Sequence, residues 1–446
     1  MIMLKGIGIK IIVIGLLIFG IGNKVAAQNE NALGSFTPYS LFGIGDIAKQ
    51  GSAINRAMGG IGIGVRDNTY INYMNPASIT KRDTLAFMFD FGLYQKNTFT
   101  TDGSRNAPFN TLNISHIALT APIYKKSALM MGISPVSNIG YNFADIETDL
   151  DIINDHGNVV YTKYGSGYVS KLFMGVSAIL FKNLSVGIEG DYYFGNIKHH
   201  SDIGFGGNGT SAAVPDHQRK ISTGRDNTLK SFGGKIGAQY EKSFDNNILL
   251  TVGGTWSFNT KLKGEQVNYA YSLSGVTGLT DTIRHDLYDK SYEIPSELGI
   301  GLSIRKRDKW MVGVDYIRQD WTKSKFDDTP GIDFKTAVTN SFRMGVEYIP
   351  NRYDVRYYMR TASYRGGVYY DQGYMKIGGN QINAMGITLG MTFPILLSYD
   401  IHNAIGISVD IGQRGSLDNN LLRERYVMFN VSISLHEIWF RKLRYD

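Results

Sequence analysis

The sequence predicts an all-β fold: a transmembrane antiparallel β-barrel of about 14 strands, with an N-terminal hatch plugging its lumen. Three observations predict it. Segments of roughly ten residues alternate apolar with small or polar side chains, as membrane strands do. After the first thirty residues no apolar block approaches the roughly 20 residues of a spanning helix. The composition is rich in glycine and aromatics, with Gly 52, Tyr 28 and Phe 22 against Pro 10, and is 43% hydrophobic. Only helices and closed barrels satisfy every backbone hydrogen bond in lipid, so greasy alternating segments without a spanning helix point to a barrel.

The first element, residues 1–27, reads as a signal peptide. Lys5 and Lys10 give a positive start, IIVIGLLIFGIG at 11–22 an apolar core, and Val25-Ala26-Ala27 a small-residue cleavage pattern. Removing Lys5, Lys10 and Lys24 lowers the formal charge from +7 to +4. Basic residues are scattered except in the tail, 441–446, so nucleic acid is not an expected partner. The chain has no cysteine, which excludes disulfides, thiolate metal sites and a lipidated N-terminal cysteine.

Residues 28–83 lack the alternation. They carry FTPYSLFGIGD and INRAMGGIGIGVRDNTYINYMNPASIT, too apolar and Gly-rich for a solvated leader. About fifty-five residues of this kind before the first strand suit a segment folded back into the lumen.

The barrel is expected over 84–440, with strands near 84–95, 111–122, 128–140, 162–181, 184–198, 226–243, 247–263, 290–306, 309–323, 339–350, 362–370, 381–394, 403–413 and 424–438. In AIGISVDIG at 404–412, Ile405, Ile407, Val409 and Ile411 share one face, and Ala404, Gly406, Ser408, Asp410 and Gly412 the other. Residues 384–393, 250–258, 342–348 and 427–436 repeat the pattern. The polar face is heavy in Gly, Ser and Ala, which suits a crowded lumen; a soluble exported sandwich, the alternative, would carry more Lys, Glu and Thr there. Phe181-Lys182-Asn183, Asp245-Asn246-Asn247 and Arg307-Asp308 read as short periplasmic turns. The stretches 141–161, 199–225, 264–289 and 324–338 read as long outward loops.

The stretch INRAMGGIGIGVRDNTYINYMNPASIT resembles the N-terminal hatch of the FadL/TodX family of outer-membrane transport proteins, through its Gly-rich approach, Asp67-Asn68 and Asn75-Pro76-Ala77. YSLFGIGD and the ending SISLHEIWFRKLRYD are similar to a Bacteroidota branch of such barrels. The resemblance implies residence in the outer membrane of a Gram-negative bacterium and a barrel plugged by residues 28–83. It also implies passive uptake of hydrophobic small molecules, of the long-chain fatty acid or aromatic hydrocarbon class. In that family the third strand is kinked and opens the wall. The matching segment here, MMGISPVSNIG, holds Pro135 and ends at Gly140, and proline cannot donate to a ladder. A lateral opening at Pro135 and Gly140 is therefore expected.

Glu189 and Asp191 point to one strand face at spacing i, i+2, as do Arg343 and Glu347 at i, i+4, which predicts a lumen charge network holding the hatch. Paired acids can serve general acid–base chemistry, but polar-in alternation accounts for them without it. His199, His200 and Asp202, with His217, lie in an expected loop and read as solvated groups, not a metal site. No G-x-S-x-G elbow, P-loop or dinucleotide fingerprint occurs, so no enzyme, cofactor or metal is expected. Expected partners are outer-membrane lipid and a hydrophobic small-molecule ligand, with Tyr269, Tyr271 and Leu273 as candidate capture residues. The alternative reading is a structural or assembly barrel with an outer-membrane protein partner and no transport of its own.

Overall fold

The structure, a computed structural model, describes residues 35–82, 86–124, 126–156, 158–206, 219–274, 280–326, 332–395 and 403–438. The expected signal peptide, the basic tail and His217 lie outside the described residues.

Fourteen antiparallel strands form the wall: β1 Ala86–Thr101, β2 Asn106–Tyr124, β3 Ser127–Ile146, β4 Asn158–Ile179, β5 Leu184–Gly206, β6 Arg219–Phe244, β7 Ile248–Ser257 continued by Thr260–Ser274, β8 Thr280–Ile294 continued by Glu297–Lys306, β9 Trp310–Asp320, β10 Val338–Tyr348, β11 Ser363–Asp371, β12 Ala384–Ile395, β13 Asn403–Arg414 and β14 Arg423–Ile438. Each pairs with its chain neighbours, and β14 closes on β1 from Ala86↔Ile438 to Thr101↔Arg423. Every strand expected from the alternation overlaps one of these.

The alternation is the cause of closure. On β12 and β13, Met385, Ile387, Leu389 and Ile411 are exposed outward, while Thr388, Ser408 and Asp410 are buried inward. Apolar outside and polar inside is the reverse of a soluble core and is stable only against lipid, where each outward Leu or Ile contributes up to about 2 kcal/mol by leaving water. No described helix is long and apolar enough to cross a membrane. The short turns use residues that tolerate the left-handed backbone region: Asn246 (φ 63), Asn247 (φ 60) and Asp308 (φ 57).

Two of the expected outward loops, 199–225 and 264–289, are largely strand in their described residues, and 141–161 is strand at both ends. β5 and β6 pair as far as Ile203↔Ile221, and residues 264–273 pair with 280–290 on β8. About ten residues span the membrane, so these strands extend well past it. There no lipid imposes apolar alternation, and polar residues continue the ladder.

Residues 35–82 lie inside the barrel. They comprise the 3-10 turns Pro38–Leu41 and Pro76–Thr80, the two-residue strand Asp46–Ile47 and the short helix Ala53–Arg56, capped by a Ser52–Asn55 capping box. Ile54, Met58, Ile61, Val65 and Tyr70 form one apolar cluster with Met311 of β9. Ile71, Tyr73 and Ile79 form another with Met88, Met130 and Phe173 of the wall. The apolar content of this segment thus fills a lumen whose wall supplies mostly small and polar side chains.

Candidate functional site

The glycine run 59–64 docks on the wall by close backbone approach. Gly59 (φ +69) and Gly60 (φ +86) turn the chain, and a Cβ on Gly59 would stand 2.5 Å from the Val368 carbonyl oxygen. The turn leaves three successive amides aimed outward, and the Asp315 carboxylate of β9 accepts them: Gly62 N–H at 2.7 Å, Ile63 N–H at 2.8 Å and Gly64 N–H at 3.4 Å. One carboxylate thereby satisfies three donors that burial would otherwise orphan.

Asn75-Pro76-Ala77 docks in a similar way. Asn75 caps the turn Pro76–Thr80 by accepting the Ala77 N–H at 3.0 Å, and its Nδ2 donates to Ile63 O (3.0 Å) and to Ala238 O of β6 (3.3 Å). The wall makes room with glycine: a Cβ on Gly237 would stand 2.2 Å from Asn75 Oδ1, and one on Gly187 2.6 Å from the Pro76 carbonyl carbon.

Asp67 accepts Thr69 N–H (2.9 Å) and Thr69 Oγ1–H (2.7 Å) and pairs with Arg305 of β8 at 2.9 Å. Burial alone pushes its carboxyl up, but Arg305, Arg352 and the Thr69 bonds outweigh that and hold it below the usual carboxylate range. Asn68 lies beside it at a cavity near the short turns.

Among the described residues the wall loses pairing over a long stretch between β2 and β3. β2 and β3 pair from Tyr124↔Ser127 to Ile117↔Ile133 and no further among the described residues. Beyond that, 106–116 pair with β1 and 134–146 with β4. A bulge lies on each side of the seam, where the β1–β2 register shifts between Gly92 and Leu93 and the β3–β4 register between Pro135 and Ser137. Pro135, with no N–H to give, stands two residues beyond the last β2–β3 pair. The free edge of β3 is taken up by residues 37–50. Gln50 Nε2 donates to Pro135 O and Ala48 N to Val136 O, both at 2.9 Å. Ile47 and Asp46 pair with Ser137 and Asn138. Thr37 N donates to Gly140 O (2.8 Å), and Ser40 Oγ binds both Gly140 O (2.9 Å) and Gly140 N (3.0 Å). On the other side, Phe36 stacks on Phe109 of β2 with ring centroids 3.9 Å apart. The segment therefore bridges the seam from β2 to β3.

Inside the seam lies a cavity of about 330 Å³, bounded by Ile47, Thr111, Val136 and Asn138 at the seam and by Tyr193, Trp321 and Tyr374 across the lumen. Trp321, Tyr374, Tyr39 and Phe42 belong to the largest apolar cluster among the described residues, in which the rings of Trp321 and Tyr374 stand 4.8 Å apart.

The expected lumen charges fall into separate groups. Glu189 and Asp191 both pair with Lys171, at 2.8 and 3.1 Å. Arg343 pairs with Asp371 at 3.4 Å and donates to Gly60 O at 3.3 Å. Glu347 pairs with Arg365 and, at 3.4 Å, with Arg305. Arg343 and Glu347 thus hold different partners, and each reaches the lumen segment, Arg343 at Gly60 O and Glu347 through Arg305 to Asp67. His199 and His200 bond the hydroxyls of Tyr141 (2.7 Å) and Tyr269 (2.6 Å), and Asp202 pairs with Lys220 at 2.8 Å, all on strands instead of a loop. Tyr269 is thereby tied to His200 as well as stacked near Tyr271.

Sequence reasoning missed several anchors. Asp315 and Arg305 are two. Asp46 pairs with Arg414 (2.5 Å) and Lys96 (3.5 Å), and Lys49 pairs with Asp410 (2.7 Å), which also accepts the Tyr369 hydroxyl (2.7 Å). Arg56 donates to Asn430 at 2.9 Å. Their signal was phase: Asp315 and Asp410 sit on the polar face of alternating strands.

A family model described as BamG matches residues 4–446. No curated protein matches. Among solved structures, the chain is similar to the CymD monoaromatic hydrocarbon channel (16% identity, 89% of this chain and 99% of that one, TM-score 0.56). It is also similar to a FadL homologue of Pseudomonas aeruginosa (13%, 87% and 99%, TM-score 0.57) and to the toluene transporter TbuX of Ralstonia pickettii (16%, 87% and 98%, TM-score 0.52). At these identities the likeness establishes the fold, a barrel of the kind those proteins have, and bears out at that level the resemblance noted from residues 54–80.

Proposed function

The chain belongs to the BamG family, and on that premise and the barrel's geometry we propose that it is an outer-membrane channel for passive uptake of hydrophobic small molecules. In this reading residues 35–82 are the hatch, the β2–β3 seam near Pro135 is the lateral opening, and residues 37–50 are its gate. The observation that carries the reading is the seam itself, which adjoins an aromatic-lined cavity and is spanned by hydrogen bonds from a segment not continuous with either flanking strand. Unpaired backbone facing lipid costs several kcal/mol per group, so such a gap persists only where something covers it. The cover is held by hydrogen bonds, by the ion pairs of Asp46 and Lys49 and by stacked rings, none of them covalent, so it can be released without breaking the barrel. The fold shared with hydrocarbon and toluene channels supports the substrate class.

The absence of cysteine makes the test clean. Ile47 and Ser137 are direct cross-strand partners, a separation that suits a disulfide. The variant Ile47→Cys/Ser137→Cys, reconstituted in liposomes, is expected to lose uptake of a fluorescent apolar probe when oxidised and to regain it on reduction.

A second reading is a structural subunit of an outer-membrane complex, without transport. It is favoured by the closure of the seam from Pro135 to Gly140 and by the ion pairs that fix the segment in the lumen. Uptake that is absent in the reduced protein, together with a stoichiometric protein partner recovered from native membranes, would select it.

A further inference from the structure

A second cavity, of about 320 Å³, lies at the short-turn end of the barrel, between residues 66–82 of the lumen segment and the turns around Arg307 and Arg352. Its lining carries six cations, Arg66, Lys81, Arg82, Arg305, Arg307 and Arg352, and two acids, Asp67 and Asp308. Two further acids stand behind it: Glu241 pairs with Lys81 at 2.5 Å and Glu347 with Arg305 at 3.4 Å. Glu347 also pairs with Arg365, so seven cations face four acids and more than one positive charge is left uncancelled.

Two of the guanidinium groups are conspicuously under-served. Arg66 is 7% exposed; its Nη2 donates to Thr80 Oγ1 at 2.7 Å, but its buried Nε has no hydrogen-bond partner among the described residues. Burial pushes the Arg66 pKa down, and its neighbour Glu241 only partly restores it. Arg307 stands at the rim, exposed, and its side chain has no ion-pair partner among the described residues. A buried guanidinium short of acceptors is costly, and that cost is removed when an anion arrives with oxygen atoms to accept the free N–H groups.

We infer that this cavity is a binding site for a phosphate group carrying two negative charges, as in inorganic phosphate or a phosphate monoester. The charge count decides between oxyanions. A carboxylate cancels one excess charge, whereas a phosphate dianion cancels two and offers acceptors enough for Arg66 and Arg307 together. Planar guanidinium forks match its oxygens, and the volume is that of a small-molecule pocket. The site opens on the side of the short turns, which in such barrels is periplasmic. It does not depend on whether the barrel transports.

The test is isothermal titration of the full-length protein in detergent with inorganic phosphate, at constant ionic strength set by chloride, beside Arg307→Gln and Arg66→Gln. Saturable binding is expected in the parent protein, weakened about tenfold by either substitution, since a hydrogen bond to a charged group is worth about that factor. Arg307 is exposed and has no ion-pair partner among the described residues, so Arg307→Gln keeps the test valid if Arg66→Gln disturbs the segment. Displacement of phosphate by glycerol 3-phosphate assigns the site to a soluble monoester, and displacement by dihexanoyl phosphatidic acid alone assigns it to a lipid headgroup. Phosphate binding no stronger than that of acetate, or unchanged in Arg307→Gln, overturns the inference.

Discussion

The Asp315 carboxylate accepts the Gly62 amide at 2.7 Å across 253 positions of sequence. This bond joins the most glycine-rich part of the lumen segment to the middle of β9, and it is the first of three that the same carboxylate receives. Asp315 is therefore expected to be the principal polar anchor of the run 59–64.

Replacing it tests that role. Asp315→Ala leaves three buried amides without an acceptor and should destabilise docking of the segment by roughly 2–4 kcal/mol. Asp315→Asn, which keeps one acceptor oxygen, should cost less. Hydrogen exchange at residues 59–65 in the folded barrel reads the difference. Equal protection in all three proteins would mean that packing, not Asp315, holds the run.

Asn75-Pro76 makes a steric prediction. Gly237→Ala places a methyl 2.2 Å from Asn75 Oδ1 and 2.8 Å from Pro76 Cδ, whereas Gly190→Ala meets nothing nearer than 4.0 Å. The first should displace the motif and raise leakage of small hydrophilic solutes through reconstituted barrels. The second should behave as the parent, and both should assemble, because Gly237→Ala leaves the outward apolar face untouched and Gly190→Ala adds only a methyl to it.

How much of this was legible follows from where lipid acts. Within the membrane zone, lipid imposes alternation, so strands such as Asn403–Arg414 could be read residue by residue. Above it β5, β6 and β7 continue through polar residues, and period 2 fades although the ladder does not. The phase of Asp315 marked it as lumen-facing, but its partner lies in another part of the chain and no local pattern names it. Register is likewise non-local. Pro135 pointed to a weak place in the ladder, yet the loss of β2–β3 pairing beyond Ile117 and its cover by residues 37–50 depend on how far two strands are shifted. Arg343 and Glu347 share a face, which period 2 shows, but the partner each one holds lies elsewhere in the chain, which it does not.

Ser40 is a two-point link in the cover of the seam, since its hydroxyl meets both the carbonyl and the amide of Gly140. Ser40→Ala should weaken that link by about 1–2 kcal/mol and increase exchange at Gly140 without altering the β3–β4 ladder. If the seam is the route of uptake, the same variant should take up an apolar probe faster than the parent.

Acid should loosen the segment at Asp67. Its folded pKa is depressed, so its contribution to stability is complete above the unfolded value, about 3.9, and is lost as pH falls through the folded value. Exchange protection of residues 67–80 should hold from pH 7 to about 4 and decline below. Asp67→Asn should show lower protection at neutral pH and a flatter acid profile. A profile identical to the parent would assign the acid response to other carboxylates.

Separate partners for Arg343 and Glu347 predict independence. Four residues along a strand put the two about 13 Å apart, beyond the range over which substitutions usually couple. The double substitution Arg343→Gln/Glu347→Gln should therefore change thermal stability by the sum of the single changes, to within about 0.5 kcal/mol. Asp67→Asn/Arg305→Gln, whose side chains meet at 2.9 Å in a site where Asp67 is nearly inaccessible to solvent, should deviate from additivity by more, because breaking a buried pair strands the remaining charge. Additivity in the second cycle as well would mean that Arg305 is held by Glu347 alone, and that the link between the lumen segment and the short-turn end of the wall lies elsewhere.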